Sequence, residues 1–148
     1  MNWVHYQSLS QFTPEHLYLV LKLRQDVFII EQDCIYPDID ELDPHSEHLL
    51  LFDEKNKLIG YLRIVPTGMK FKEVSLGRIV INISHRGTGL GRHLIEKGME
   101  LVFKKEDDSI RIEAQFHLEK FYSDLGFKTT SKPYDLDGIP HIEMLYSS

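Results

Sequence analysis

The segment LGRIVINISHRGTGLG, residues 76–91, joins a strand-like run to a glycine-rich turn, and a helical pattern follows it. Residues 76–83 are rich in β-branched side chains, which favour a strand. After the turn, small and apolar residues recur at helical spacing: Leu90, Leu94, Ile95, Gly98, Leu101 and Val102. A strand that turns through glycines into a helix presents unpaired backbone N–H groups at the positive end of the helix dipole. The segment therefore predicts a phosphorylated ligand, because glycine lets phosphate approach the backbone closely.

The spacing of the glycines excludes two common phosphate-binding motifs. No glycine stands at the third glycine position that the dinucleotide fingerprint G-x-G-x-x-G requires. A P-loop needs Gly-Lys-Ser/Thr, whereas Arg92 and His93 follow Gly91. The pattern that remains is Arg86-x-x-Gly89-x-Gly91.

A second strand followed by a helix lies downstream. Residues 109–114, SIRIEA, are strand-like. Four residues then recur at helical spacing: Leu118, Phe121, Tyr122 and Leu125. Gly126 is placed to end this helix. The sequence therefore repeats the order strand, turn, helix.

Signals elsewhere predict the remaining elements. Thr13 and Pro14 predict the start of a helix, as N-cap and first helical residue. Further strands are predicted at residues 3–7, 48–52 and 58–65, and a terminal hairpin at residues 128–135 and 141–146 over Asp137-Gly138. This order predicts an α/β fold, a mixed sheet with helices packed on it.

Two motifs of the chain resemble those of a known family. Arg86-x-x-Gly89-x-Gly91 resembles the Arg/Gln-x-x-Gly-x-Gly/Ala signature of the GNAT superfamily of N-acetyltransferases, whose loop holds the pyrophosphate of acetyl-CoA. Phe-Tyr-x-x-Leu-Gly-Phe, residues 121–127, resembles the second GNAT signature. Further pieces are similar to the bacterial ElaA-type acetyltransferases: residues 23–24, 27–34, 36–40, 77–78 and 137–141. Together these pieces span nearly the whole chain.

The resemblance implies a fold and a binding site for acetyl-CoA. The fold is a mixed, splayed central sheet of about six to seven strands flanked by helices, with residues 1–148 forming a single N-acetyltransferase domain. The main chain of Ile79, Val80 and Ile81 would hold the pantetheine arm and the thioester carbonyl. The residues implied for the pyrophosphate are Arg86, Gly87, Thr88, Gly89, Leu90, Gly91 and Arg92. Gln115 stands where the family often has an asparagine that contacts the cofactor.

The resemblance also implies a reaction. An acetyl group would pass from acetyl-CoA to a primary amine by direct attack in a ternary complex, with Tyr122 as the general acid that protonates the CoA thiolate. Glu31 is a candidate general base, with His117, His141 and a chain of water as alternatives. Glu31 is also the expected carboxylate partner of Arg24. Transfer from another acyl-CoA and binding of acyl-CoA without turnover remain alternative functions.

Composition limits the partners. The net charge of −6 argues against nucleic-acid binding, and no apolar run approaches the length of a membrane-spanning helix. Cys34 is the only cysteine, which favours the cytoplasm. His45 and His48 lack further ligands to complete a zinc site, so no metal is expected. The expected partners are acetyl-CoA and a small amine, and the expected assembly is a monomer or a homodimer.

A loop rich in acids raises a hypothesis about the acceptor. Asp38, Asp40, Glu41 and Asp43 lie within six residues. They either form a wall of the acceptor cleft that attracts a protonated amine, or belong to a solvated loop. Arg63 and Arg78, on successive predicted strands, either reach an acidic group of a ligand or form ion pairs.

Overall fold

The computed structural model describes residues 1–148, and a sheet of eight strands forms its centre. The strands are β1 Asn2–Tyr6, β2 Glu47–Phe52, β3 Leu58–Val65, β4 Val74–Ile81, β5 Ser109–Gln115, β6 Lys128–Thr129, β7 Tyr134–Leu136 and β8 Ile139–Ser147. The α-helices are α1 Pro14–Arg24, α2 Leu90–Phe103 and α3 Glu119–Asp124. The strand order is β1-β2-β3-β4-β5-β8-β6, with β7 also paired to β8. No helix is both long and apolar enough to cross a membrane.

The two central strands, β4 and β5, separate soon after they meet. They form the parallel pair of the sheet, and their register contains only Val74 opposite Ile110 and Ser75 opposite Arg111. Beyond these pairs, β4 continues to Ile81 and β5 to Gln115 without pairing to each other. The α/β fold with a splayed sheet is thereby confirmed, and the short strands β6 and β7 raise the number of strands to eight.

Helix α1 begins as the sequence predicts and ends differently. The hydroxyl oxygen of Thr13 accepts a hydrogen bond from the backbone N–H of His16 at 3.1 Å, and Pro14 is the first helical residue. After Arg24, the chain continues as a π-helix over Gln25–Glu31. A π-helix closes i→i+5 hydrogen bonds, so side chains after Arg24 leave the faces that an α-helical period assigns to them.

Apolar cores cover both faces of the sheet. On one face, α2 packs Leu94 and Ile95 against the sheet, and the two side chains are at most 1% exposed. Gly98 allows close contact there, because a Cβ atom at this position would lie 2.9 Å from Leu62 Cδ2. On the other face, Val20 and Leu23 of α1 belong to a second core with residues of β2, β3 and β4.

The acidic loop that follows α1 is folded inward around buried arginines. Arg24 is 1% exposed; its Nε lies 2.9 Å from Asp38 Oδ2, and its Nη1 lies 2.8 Å from Asp43 Oδ1. Arg63 of β3 contacts Asp40 at 2.6 Å and Asp43 at 2.8 Å. The expectation that Arg24 pairs with Glu31 is therefore wrong.

The acidic loop lines the cavity through Asp40, but the carboxylate of Asp40 is held in ion pairs. Asp38 and Asp43 are each 5% exposed and form ion pairs with arginines, whereas Glu41 is exposed. Burial would raise the pKa of Asp43, but hydrogen bonds and charge from Arg24 and Arg63 outweigh it and lower the pKa to about 2. Asp38 and Asp43 thus anchor the loop by buried ion pairs, while Ile35, Ile39 and Glu41 of the same loop stay exposed.

A buried histidine completes this region. His48 of β2 is 1% exposed; its Nδ1 accepts a hydrogen bond from Tyr61 Oη at 2.6 Å, and its Nε2–H donates to Asp43 O at 3.1 Å. Burial lowers the pKa of His48 to about 4, against the opposing effect of Asp43. The imidazole is therefore neutral in the folded protein at neutral pH.

The neutral His48 makes stability sensitive to mild acid. Below the ordinary histidine pKa of 6.5, the unfolded chain binds a proton that the folded protein does not bind until about pH 4. The free energy of unfolding should therefore fall as the pH drops through this window, by about 1.4 kcal/mol per pKa unit. His48→Gln should reduce that slope in urea unfolding between pH 7 and 4.5, while the exposed control His117→Gln should not. Equal slopes in the His48 variant and the native protein would contradict this assignment.

Candidate active site

A cavity of about 490 Å³ occupies the gap between β4 and β5. Six consecutive residues of β4 and four of β5 line it: Leu76, Gly77, Arg78, Ile79, Val80 and Ile81, and Ile112, Glu113, Ala114 and Gln115. The π-helix, the loop after it, α3 and the β7–β8 turn provide the remaining walls. The splayed sheet thus creates a concave site large enough for a ligand.

The exposed edge of β4 gives this cavity a row of main-chain hydrogen-bonding groups. Since β5 pairs only with Val74 and Ser75, the edge of β4 that faces β5 has no strand partner along residues 76–81. Ile79, Val80 and Ile81 all line the cavity. An extended ligand that carries amide groups can pair with such an edge as another strand would.

The glycine-rich turn lies directly beyond this edge. Gly87 and Gly89 have φ of 78° and 82°, a region that favours glycine. The helical hydrogen bond nearest the start of α2 runs from His93 N to Gly89 O at 3.2 Å, so the N–H groups of residues 90–92 have no intrahelical acceptor. These donors lie at the positive end of a 14-residue helix, an arrangement that favours a bound anion.

Arg86 and Glu31, two predicted site residues, form an ion pair with each other. Arg86 Nη2 donates to Glu31 Oε1 at 2.8 Å, Nη1 donates to Oε2, and Nε donates to Ile81 O at 3.1 Å. The hydrogen bond from Arg86 lowers the pKa of Glu31. Glu31 is exposed and does not line the cavity. Its pairing ties the end of the π-helix to the glycine-rich turn.

Tyr122 reaches the cavity from α3. Its side chain is 6% exposed and lies between the rings of Phe121 and Phe127, with ring centroids 5.2 and 5.9 Å away. Burial raises the pKa of the Tyr122 hydroxyl, with no contribution from a hydrogen bond within the protein. The cavity therefore contains a protonated hydroxyl whose hydrogen bond is available to a ligand.

The wall formed by β5 and β8 carries polar groups, including a histidine. His141 lies opposite Gln115 in the register of β8 and β5, and it lines the cavity. Its Nδ1 lies 2.7 Å from Ile139 O. Because a carbonyl oxygen can only accept, Nδ1 carries the proton, and Nε2 of the neutral ring is left as an acceptor. The ring of Tyr134 stacks beside it, with centroids 6.5 Å apart.

Glu113 of β5 and Lys70, from the segment between β3 and β4, also line the cavity, and neither is among the residues predicted from the sequence. Glu113 Oε2 accepts a hydrogen bond from Tyr134 Oη at 2.6 Å, and Glu113 Oε1 lies 2.9 Å from Lys70 Nζ. Burial would raise the pKa of Glu113, but these two partners lower it. The alternation of side chains along β5 was the available signal, because it places Glu113 on the same face as Gln115.

The other predicted residues occupy different surroundings. Gln115 lines the cavity, and its Nε2 donates to Gln32 Oε1 at 3.4 Å, across to the loop after the π-helix. His117 is exposed and lies outside the cavity. Cys34 closes the cavity wall, where its thiol donates to Asp137 O at 3.4 Å. Of the three candidate bases, only His141 faces the cavity.

Comparisons with a family model and with known sequences agree on the family of this chain. A family model described as an acetyltransferase (GNAT) domain matches residues 9–148. Protein ElaA of Escherichia coli is 34% identical over 146 residues, which cover 95% of this chain and 95% of ElaA. A UPF0039 protein of Synechocystis is 34% identical over 147 residues, which cover 99% of this chain and 95% of that protein.

Solved structures share the architecture. The crystal structure of Escherichia coli ElaA matches with a TM-score of 0.89 at 32% identity and covers 99% of both chains. The crystal structure of an acyl-CoA N-acyltransferase from Pseudomonas aeruginosa matches with a TM-score of 0.91 at 32% identity, again over 99% of both chains.

Proposed function

The chain belongs to the GNAT family of acetyltransferases, and from this premise we propose that it transfers an acetyl group from acetyl-CoA to the primary amine of a small acceptor. The observation that carries the proposal is the combination of a splayed β4–β5 gap, an anion site at the start of α2 and a buried, protonated Tyr122 facing the gap. Each of these features matches one chemical part of acetyl-CoA or its reaction.

The pantetheine arm would lie in the gap, and the pyrophosphate would lie on the turn. Main-chain groups of Ile79, Val80 and Ile81 would pair with the amides of the arm; in support, all three residues line the cavity and β5 does not pair with this part of β4. The residues proposed to hold the pyrophosphate are Gly87, Thr88, Gly89, Leu90, Gly91 and Arg92. Arg86, whose guanidinium is bound by Glu31 and by Ile81 O, is proposed to fix the shape of this turn and to add positive charge beside it. Gln115 is proposed to contact the cofactor from β5, since its amide lines the same gap.

The reaction would proceed by direct attack in a ternary complex. His141 Nε2 takes a proton from the acceptor ammonium, and the amine then attacks the thioester carbonyl to form the C–N bond. The N–H groups of Val80 and Ile81 stabilise the oxyanion. As the C–S bond breaks, Tyr122 gives its proton to the thiolate and regains one from the nitrogen of the intermediate. His141 returns its proton to water.

This assignment places the base on His141 rather than on Glu31. The Glu31 carboxylate is bound by two nitrogens of Arg86, and its lowered pKa makes it a weak proton acceptor. The Nε2 atom of His141 has no partner within the protein and lies on the cavity wall.

We also place the reaction in the cytoplasm, since Cys34 is a free thiol.

The glycine-rich turn should be necessary for binding coenzyme A. Gly89→Val places a β-branched residue at a φ of 82°, which costs about 1–2 kcal/mol and turns the N–H groups of the loop away from the anion. The dissociation constant of coenzyme A, measured by calorimetry, should rise at least about tenfold, the equivalent of one lost hydrogen bond to a charged group.

The matched control is Gly68→Val. Gly68 has a φ of 80° and open space where a Cβ would lie, as Gly89 does, but it belongs to the β3–β4 turn. Both variants should lose similar thermal stability, and only the Gly89 variant should lose affinity. Unchanged affinity in the Gly89 variant would show that the pyrophosphate binds elsewhere.

Removing the hydroxyl of Tyr122 should slow turnover without weakening coenzyme A binding. Tyr122→Phe keeps the ring that packs between Phe121 and Phe127 and removes the proton donor. The kcat for release of free thiol should fall by about 10²–10⁴-fold, the usual contribution of general acid catalysis. A native kcat in this variant would mean that Tyr122 serves only as a core residue.

The assignment of the base is tested with three glutamine variants. His141→Gln should lower kcat by about 10²–10⁴-fold, the usual contribution of general base catalysis. The charged and titratable groups that face His141 are Glu113, Tyr134, Lys70 and Asp137, and they are unchanged in this variant. His117→Gln should behave as the native protein does. A kcat that falls by this amount in Glu31→Gln and stays native in His141→Gln would return the role to Glu31.

A further inference from the structure

Arg78 is the one arginine of the buried ion network that reaches the cavity. It lies on β4 and lines the gap with Tyr36 and Asp40. Its side chain is 18% exposed, whereas the side chains of Arg24 and Arg63 are 1% and 2% exposed. Arg78 therefore connects the interior network to the space where an acceptor would bind.

The guanidinium of Arg78 is fixed from one side. Nε lies 2.9 Å from Asp38 Oδ1, and Nη2 donates to Asp38 O at 3.0 Å and to Asp40 Oδ2 at 3.2 Å. The guanidinium carbon also lies 5.3 Å from the centroid of the Tyr36 ring. Nε makes an ion contact but no hydrogen bond and is buried, and Nη1 donates to no residue of the protein. The group is therefore held through Nη2, and Nη1 is the nitrogen left for a ligand.

The carboxylates of the network, unlike Arg78 Nη1, are occupied by partners within the protein. Asp40 accepts from Arg63 Nη1 and Nη2, from Arg78 Nη2 and from the backbone N–H of Leu42. Three arginines and three aspartates balance in charge: Arg24, Arg63, Arg78, Asp38, Asp40 and Asp43. The hypothesis that this acidic loop attracts a cationic acceptor therefore loses its basis, because the network presents a donor to the cavity.

The backbone at Arg78 is also unusual. Its φ is 51°, beside a register shift between Tyr61 and Arg63 on the neighbouring strand. A non-glycine residue in this region costs about 1 kcal/mol or more, and such positions concentrate at binding sites. The strained position thus carries a side chain that lines the cavity.

We propose that Arg78 Nη1 binds a carboxylate of the acceptor, so that the acceptor is a small molecule with both a primary amine and a carboxylate, as in an amino acid. This inference rests on the proposed acetyl transfer. Arg78 belongs to β4, and His141 and Glu113 belong to the facing wall of β5 and β8. An acceptor that places its carboxylate on Arg78 presents its ammonium to the wall that carries a base and a carboxylate.

The test compares free L-amino acids with their amides as acceptors, with acetyl-CoA as donor and free thiol as the readout. The amide keeps the amine and removes the negative charge. For the best amino acid, kcat/KM in the native protein should exceed that of its amide by about 10–100-fold, the range of a hydrogen bond to a charged group. Arg78→Gln should reduce this ratio to about one, through loss on the amino-acid side alone.

Two further variants make the outcome specific. Arg111→Gln, an arginine of β5 outside the cavity, should keep the native ratio. Lys70→Met removes the other cation of the cavity and should also keep it. If the preference for the amino acid over its amide disappears in Lys70→Met and persists in Arg78→Gln, the inference is overturned. Thermal unfolding identifies any variant that fails to fold. The ratio of the two kcat/KM values in the native protein tests the inference even if no variant folds.

The same experiment separates the two proposals. If no amine of any kind releases thiol from acetyl-CoA, the proposed acetyl transfer fails. If amino acids and their amides are acetylated with equal kcat/KM, acetyl transfer stands and the carboxylate site on Arg78 is overturned.

Discussion

The separation of β4 from β5 is the constraint on which the rest of this protein depends. Two parallel strands that part after Val74 and Ser75 each give up a ladder of hydrogen bonds, which an ordinary sheet would retain. The structure compensates with apolar packing, because α2 and its core hold the sheet together on one face of the gap. The unpaired edge and the cavity follow from this one departure, and the start of α2 lies beside them.

The buried ion network maintains the other face. Arg24 of α1 and Arg63 of β3 are fixed by carboxylates of one loop, so the loop is held against the sheet and closes the cavity. Four of the six charges are buried, which is costly, and loss of one member of a buried ion pair typically destabilises a protein by about 3–5 kcal/mol. The network is thus a means of placing a loop, and through Arg78 it also shapes the cavity.

Local motifs were predictable from the sequence, and long-range choices of partner were not. The N-cap at Thr13, the glycine-rich turn and the hairpin over Asp137-Gly138 are determined by neighbouring residues, and all three appear in the structure. Arg24 had several acids within reach along the chain, and the π-helix that carries Glu31 away from it has no clear sequence signal. The wall with Glu113 and His141 depends on the register of two strands about 30 residues apart in the chain.

Amide hydrogen exchange, followed residue by residue with and without coenzyme A, tests the central claim most directly. If the separated edge of β4 and the turn before α2 form one continuous site, coenzyme A should slow exchange at Ile79, Val80 and Ile81 and at residues 87–92 together. Strands β1 and β2, which are paired and lie outside the gap, should be unaffected. Protection confined to another surface, with unchanged exchange along the edge of β4, would contradict the account.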